Sequence, residues 1–202
     1  MSYSDFTLQD IKTKFSINVE EQVFLFSEVN PCAVSPRLSE LLQHWVPLAH
    51  AINTEKARSE FIIAPILAEI RLLFQNKISL FSGVVLNVNP QQGLTGTCDF
   101  ILSLSSEQLM VDAPVVAVVE AKNENINVGI PQCMAELIAC RIVNDRQQRA
   151  IATIYGCVTT GTVWKYLKYS NNTIVVDLDD YYIREVDKIL GIFKFMIESS
   201  KG

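Results

Sequence analysis

Two carboxylates and a lysine fall where apolar runs meet polar chain. Val115-Val-Ala-Val-Val closes on Glu120-Ala121-Lys122, and Gly96-Thr-Cys opens on Asp99 before Phe-Ile-Leu. Charges at the edge of a strand core are costly to bury unless they are paired or bind a metal. Two acids and a lysine gathered there could hold a hard divalent cation beside an activated water. Residues i and i+2 of a strand share a face, so Glu120 and Lys122 point together while Ala121 points away.

The elements around these residues have to bring them together. Asp99 lies near the start of its strand, and Glu120 and Lys122 lie at the end of theirs. An antiparallel pair sets the start of one strand beside the end of the other. The link between them, Ser105 to Pro114, is polar and ends in proline, as a hairpin connection can. Strands are predicted at about 78–88, 98–104 and 114–122, from β-branched content and turn boundaries. Upstream, 7–15 reads as a short helix and Val23–Phe26 as a short strand or buried turn. Ser35-Pro36 caps a helix running toward Ile52, with Leu38, Leu41, Leu42, Trp45 and Leu48 at core spacing. Asn53-Thr54 caps a second helix through Phe74, which Pro65 is expected to kink or split.

Downstream, 130–147 returns to helical spacing, with Pro131 in its first turn. Ala150–Val158 and Val163–Tyr169 read as strands. Asn171-Asn172 reads as a hairpin turn before Ile174–Asp177, and 184–199 as an amphipathic helix. The pattern predicts an α/β fold in a single domain over 1–202. Residues 1–53 form an N-terminal elaboration, 54–170 the core, and 171–202 a C-terminal strand and helix.

Composition excludes several classes of function. The chain has 202 residues, 49% of them hydrophobic, and a net charge of −5, which argues against nonspecific coating of nucleic acid. No uninterrupted apolar run approaches the roughly 20 residues of a membrane span, and the start lacks the pattern of a signal peptide. Five cysteines without a CxxC pair favour reduced thiols and a cytoplasmic setting. Alternation turns Cys98 away from Asp99. His44 and His50, the only histidines, are six residues apart and do not share a helical face, which argues against zinc catalysis or a Ser-His-Asp triad. Gly93-Leu-Thr-Gly96 lacks the Gly-Lys-Ser/Thr of a P-loop and reads as a turn into the Asp99 strand.

The element order, with Asp99, Glu120-x-Lys122 and Gln132 at these places, resembles the PD-(D/E)XK nuclease superfamily. The resemblance covers roughly 54–170 and includes Glu60, which matches an acid that many members carry in the helix before the strands. Where the name of the family has proline, this chain has Cys98. The resemblance implies a restriction-endonuclease-like fold, a central mixed sheet flanked by helices. It also implies hydrolysis of DNA phosphodiester bonds by a metal-activated water, with no covalent intermediate. Asp99, Glu120, Glu60 and the Ala121 carbonyl would ligate one or two magnesium or manganese ions. Lys122 would orient or deprotonate the water and offset phosphate charge. Gln132 would position the water, Lys122 or the nucleic-acid backbone. Nucleases of such folds are often homodimers when they cut both strands, though no residue here marks an interface.

Other charged residues read more plainly. Glu136, one turn beyond Gln132, is expected to be solvated or salt-bridged. Lys165, Lys168, Arg141, Arg146 and Arg149 are candidates for phosphate contact, each weighed against an ordinary solvated charge. Asp177, Asp179 and Asp180 fit a polar strand-to-helix turn better than a metal cluster. Two readings stand beside the nuclease. One is a noncatalytic nucleic-acid- or protein-binding module on the same fold; the other is an unrelated α/β protein whose acids are incidental.

Overall fold

The computed structural model describes residues 1–201 and is an α/β fold with a mixed eight-stranded sheet flanked by helices. Its elements are α1 (Leu8–Lys14), β1 (Asn18–Val23), α2 (Pro36–Ile52), α3 (Glu55–Arg58), a π-helical turn (Ser59–Ile63), α4 (Ala64–Leu73), β2 (Ser79–Val85), β3 (Thr97–Ser103), β4 (Val115–Ala121), α5 (Ile126–Arg146), β5 (Ile154–Thr159), β6 (Val163–Ser170), β7 (Thr173–Asp177), β8 (Tyr181–Tyr182) and α6 (Val186–Ser199). The strand order is β1-β7-β6-β5-β4-β3-β2, with β8 pairing beside β6. Strands β2, β3 and β4 form the expected antiparallel meander. Strand β5 lies parallel to β4, so α5 is the crossover between them.

The sheet separates two cores. On one face α2, α4 and α6 pack Leu38, Ile66, Leu67 and Phe193 over Phe100, Val119, Trp164 and Tyr166. On the other, α1, α5 and the N-terminal turn set Tyr3, Ile11, Leu137 and Cys140 against Ile101, Val118 and Val158. Strand β4 is buried along its whole length, as its nearly continuous apolar sequence requires. Asn144 of α5 anchors the start of β4. Its Oδ1 accepts from Val115 N at 2.7 Å and its Nδ2 donates to Val115 O at 2.9 Å.

Three elements differ from the sequence expectation. Of the short strand or buried turn expected at Val23–Phe26, the strand lies upstream as β1 and ends at Val23, and Phe26 is buried in the bend and turn that follow. On the edge of the sheet β1 is mostly exposed and carries Asn18, Glu20, Glu21 and Gln22, so it lacks the apolar signature of a strand. The helix expected from Asn53-Thr54 through Phe74 is interrupted just before Pro65, where a π-helical turn, with Ala64 N donating to Ser59 O, joins α3 to α4. Helix α5 begins at Asn125-capped Ile126, leaving Pro131 inside it. This 21-residue helix is the one described helix long and apolar enough to cross a membrane, and half of that stretch is buried in the molecule.

Candidate active site

The register pairs Phe100 with Val119, so one step further Asp99 stands opposite Glu120. Asp99 reaches across the strand pair, and its Oδ2 accepts from Ala121 N at 2.8 Å. On the far side of Asp99 the β2 backbone takes a left-handed turn at Gly83, φ 65°, where an added Cβ would meet nothing. That opening is part of a cleft of about 260 Å³ lined by Glu55, Lys56, Ser59, Glu60, Gly83, Asp99 and Ala121.

Glu120 and Lys122 point to the α5 side. Lys122 N is held by Thr159 O at 2.8 Å, which extends the β4–β5 pairing one residue past the strand. Lys122 Nζ donates to Glu120 Oε1 at 2.5 Å and to Gln132 Oε1 at 3.1 Å. Gln132 Nε2 in turn donates to Glu136 Oε1 at 3.2 Å. The Lys122 stem lies flat on α5 because residue 129 is glycine. A Cβ there would come within 3.0 Å of Lys122 Cγ and 2.6 Å of a Val158 methyl carbon.

The electrostatics are those of crowded acids. Glu120 is 2% exposed and its Oε2 has no hydrogen-bond partner. Burial, then the charge of Asp99, pushes its carboxyl up to about 7. Asp99 is also raised, chiefly by burial. Burial alone would lower the Lys122 ammonium, but Glu120, with Glu55 and Asp99, holds it above its usual value. Lys122 is therefore charged at neutral pH in this state and acts as a donor and electrostatic stabiliser rather than as a base.

No protein-family model matches the chain, and no curated protein matches it.

Asp99, Glu120, Lys122 and Gln132 thus converge, with Ala121 at the cleft wall. Glu60 reaches the cleft as well, but it is about half exposed and paired with Lys56 Nζ at 2.9 Å. Glu136 corrects the expectation of a solvated or salt-bridged acid. It is fully buried, no cation pairs with it, and its Oε2 has no partner. Burial, then Glu120, drives its carboxyl well above the usual range. An acid in the middle of Cys133-Met-Ala-Glu136-Leu-Ile-Ala-Cys140 was the available signal, since so apolar a helix face buries whatever it carries. Glu55 was also missed, and its exposed first-turn position on α3 gave no such signal.

The basic candidates are largely engaged elsewhere. Arg141 donates to Ile151 O and Ala152 O, and Arg146 to Val88 O. Lys165 Nζ binds Leu178 O, Asp179 O and the Asp180 carboxylate. Cys98 is buried with its thiol pushed up by desolvation, as expected of an inert core residue.

Among the described residues no group of three or more His, Cys, Asp or Glu side chains is arranged to hold a metal ion. Asp99 and Ala121 line the cleft, whereas Glu120 and Lys122 lie behind it on the α5 side; the oxygens of Asp99 and Glu120 are of the kind a hard cation takes. Magnesium retains several waters and needs only one or two carboxylates.

Proposed function

We propose that the chain is a metal-dependent nuclease that hydrolyses DNA phosphodiester bonds, built on a restriction-endonuclease-like fold. The observation that carries the reading is the convergence of Asp99, Glu120 and Lys122 at one sheet end, with Glu120 Oε2 unsatisfied inside it. Lys122 is the one cation paired with Glu120, and burial beside Asp99 and Glu136 still disfavours the charge of that carboxyl, an arrangement a bound cation would relieve. Asp99, Glu120 and the Ala121 carbonyl would hold magnesium or manganese, with Glu60 as a further ligand. When bound, the cation lowers the pKa of a coordinated water and neutralises phosphate oxygens during in-line attack.

The chain's own residues supply the rest. Lys122, held charged by its neighbours, donates to the attacked phosphate or to the incoming water and offsets the charge that develops there. Gln132 holds Lys122 by a second hydrogen bond beside that to Glu120. Gly83 leaves the wall beside Asp99 open to a backbone phosphate. A cytoplasmic location agrees with free thiols at all five cysteines, and a homodimer would suit double-strand cutting.

The test is cleavage of linear, supercoiled and single-stranded DNA by purified protein with magnesium or manganese. Chelator-sensitive cleavage that disappears in Lys122→Ala, with the fold intact by circular dichroism, supports the reading. Cleavage that survives in Lys122→Ala and Asp99→Ala sinks it. A noncatalytic binding module is the second reading. It draws support from the internal pairing of Lys122 with Glu120 and of Asp99 with Ala121 N, and predicts DNA or protein binding that these substitutions leave unchanged.

A further inference from the structure

The α5 face toward the site carries Gly129, Gln132 and Glu136, spaced three and four residues apart and therefore stacked along one side. Gly129 takes the stem of Lys122 and Gln132 takes its head. Glu136 touches neither the cleft nor any cation; its Oε1 accepts from Gln132 Nε2, and its carboxyl lies against that of Glu120.

We infer that Glu136 is a positioning residue, which fixes the amide of Gln132 so that its oxygen faces Lys122 and thereby aims the Lys122 ammonium. An ammonium can only donate, so the Gln132 oxygen must face Lys122, which leaves the amide NH₂ for a Glu136 oxygen, an acceptor whether or not that carboxyl holds a proton. The relay Lys122→Gln132→Glu136 therefore has a single polarity. Flipping the amide would set NH₂ against the ammonium and lose the Lys122 bond. Without an acceptor at 136, the amide is free to turn and Lys122 keeps only Glu120. The consequence for catalysis rests on the nuclease reading; the consequence for the Gln132 amide does not.

The test therefore has two arms. In ¹⁵N–¹H spectra the Gln132 side-chain amide, assigned by its loss in Gln132→Ala, exchanges slowly with solvent in the wild type. It exchanges fast in Glu136→Leu and at an intermediate rate in Glu136→Gln, which keeps an oxygen. Unchanged exchange in Glu136→Leu overturns the inference. If that variant does not fold, a Gln132 signal in Glu136→Gln identical to wild type overturns it instead. In the second arm, Glu136→Gln lowers kcat for metal-dependent DNA cleavage by ~10-fold, the size of other losses of orienting partners, at unchanged KM. Gln132→Ala with Glu136→Gln is then no slower than Gln132→Ala alone. Losses that multiply overturn the inference. A wild-type protein that cleaves nothing under any metal counts against the nuclease reading alone, and the amide arm still decides the role of Glu136.

Discussion

Acids gather at two strand ends in this molecule, and the two gatherings are built differently. At the end of β7, Asp177 is 1% exposed and both of its oxygens are engaged. Oδ1 accepts from Leu25 N at 3.0 Å and Asp179 N at 3.3 Å, and Oδ2 from Tyr181 Oη at 3.1 Å. Lys165 closes the same turn through Leu178 O, Asp179 O and Asp180. Where β3 and β4 meet α5, Glu120 and Glu136 are as deeply buried, yet each has an oxygen with no partner. The first cluster is a finished turn in which burial is offset by hydrogen bonds. The second crowds buried carboxyls around Lys122 as their one counter-ion, so that burial disfavours their charge, the condition under which a cation has something to bind.

The largest effect that could break this contrast is on activity. Lys122→Ala or Asp99→Ala should lower metal-dependent DNA cleavage by about 10²–10³-fold or more, the range for removal of one preorganised electrostatic group. Asp177→Ala should leave turnover per folded molecule unchanged. Cleavage rates measured beside circular dichroism separate the two, and equal losses at both ends would abolish the distinction.

Stability should move the opposite way. Asp177→Ala removes the acceptor for three donors at a buried site and should cost about 3 kcal/mol in urea unfolding. Glu120→Gln removes one charge of the buried Glu120–Lys122 pair, keeps an oxygen within reach of Lys122, and relieves the repulsion from Asp99. In the absence of metal it should be neutral or stabilise by about 1 kcal/mol. A large loss in Glu120→Gln without metal would mean that Glu120 is as structurally engaged as Asp177.

The direction of the pKa shifts does not separate the clusters, because burial raises Asp177 as well, but the crowding at the second gives it a pH window of its own. Glu120 is held above its ordinary 4.5, at about 7, and Asp99 and Glu136 are raised as well. Groups whose folded pKa is raised bind more protons in the native state than in the unfolded chain. Their contribution is fully present below the ordinary carboxylate range and is lost as pH rises toward about 7. Metal-free protein should therefore lose stability over that interval. Asp5 and Asp10 are lowered by hydrogen bonds from Ser2 and Thr7, so their contribution is lost only in more acid solution; Asp5 is exposed and Asp10 partly so. A cation competes with the proton at Glu120, so added magnesium should raise Tm more at about pH 8 than at about pH 5. Equal shifts at both pH values would detach the cation from these acids.

Much of this arrangement was legible in the sequence. The meander could be read because β2, β3 and β4 are apolar, bounded by turns, and in the case of β4 buried on both faces. Antiparallel pairing then brought Asp99 to Glu120 by topology alone. What escaped was information carried by neighbours distant in the chain. Strand β1 is a strand because β7 offers it an edge, and nothing in Asn18-Val-Glu-Glu-Gln-Val states that. Glu136 resembled a surface acid at i+4 from Gln132 until β4 and the N-terminal segment closed over it. The difference between Asp177 and Glu120 lies in which donors surround each carboxylate, and those donors come from residues 25, 179 and 181 in one case and 122 in the other.

Glu60 lies between the two kinds, and the smallest expected effect decides where it belongs. It lines the cleft beside Asp99, which groups it with the open cluster. It is also about half exposed and ion-paired with Lys56 one turn away, like any surface acid. Such exposed pairs contribute about 0.3–0.5 kcal/mol, so Glu60→Gln should leave Tm almost unmoved. A carboxylate that contributes one of several cation ligands still changes affinity when neutralised, because the loss falls on the bound state alone. We expect manganese titration of Glu60→Gln to give affinity weakened by a few-fold against an unchanged unfolding curve. Affinity equal to wild type would return Glu60 to the surface and confine the open cluster to the sheet end and α5.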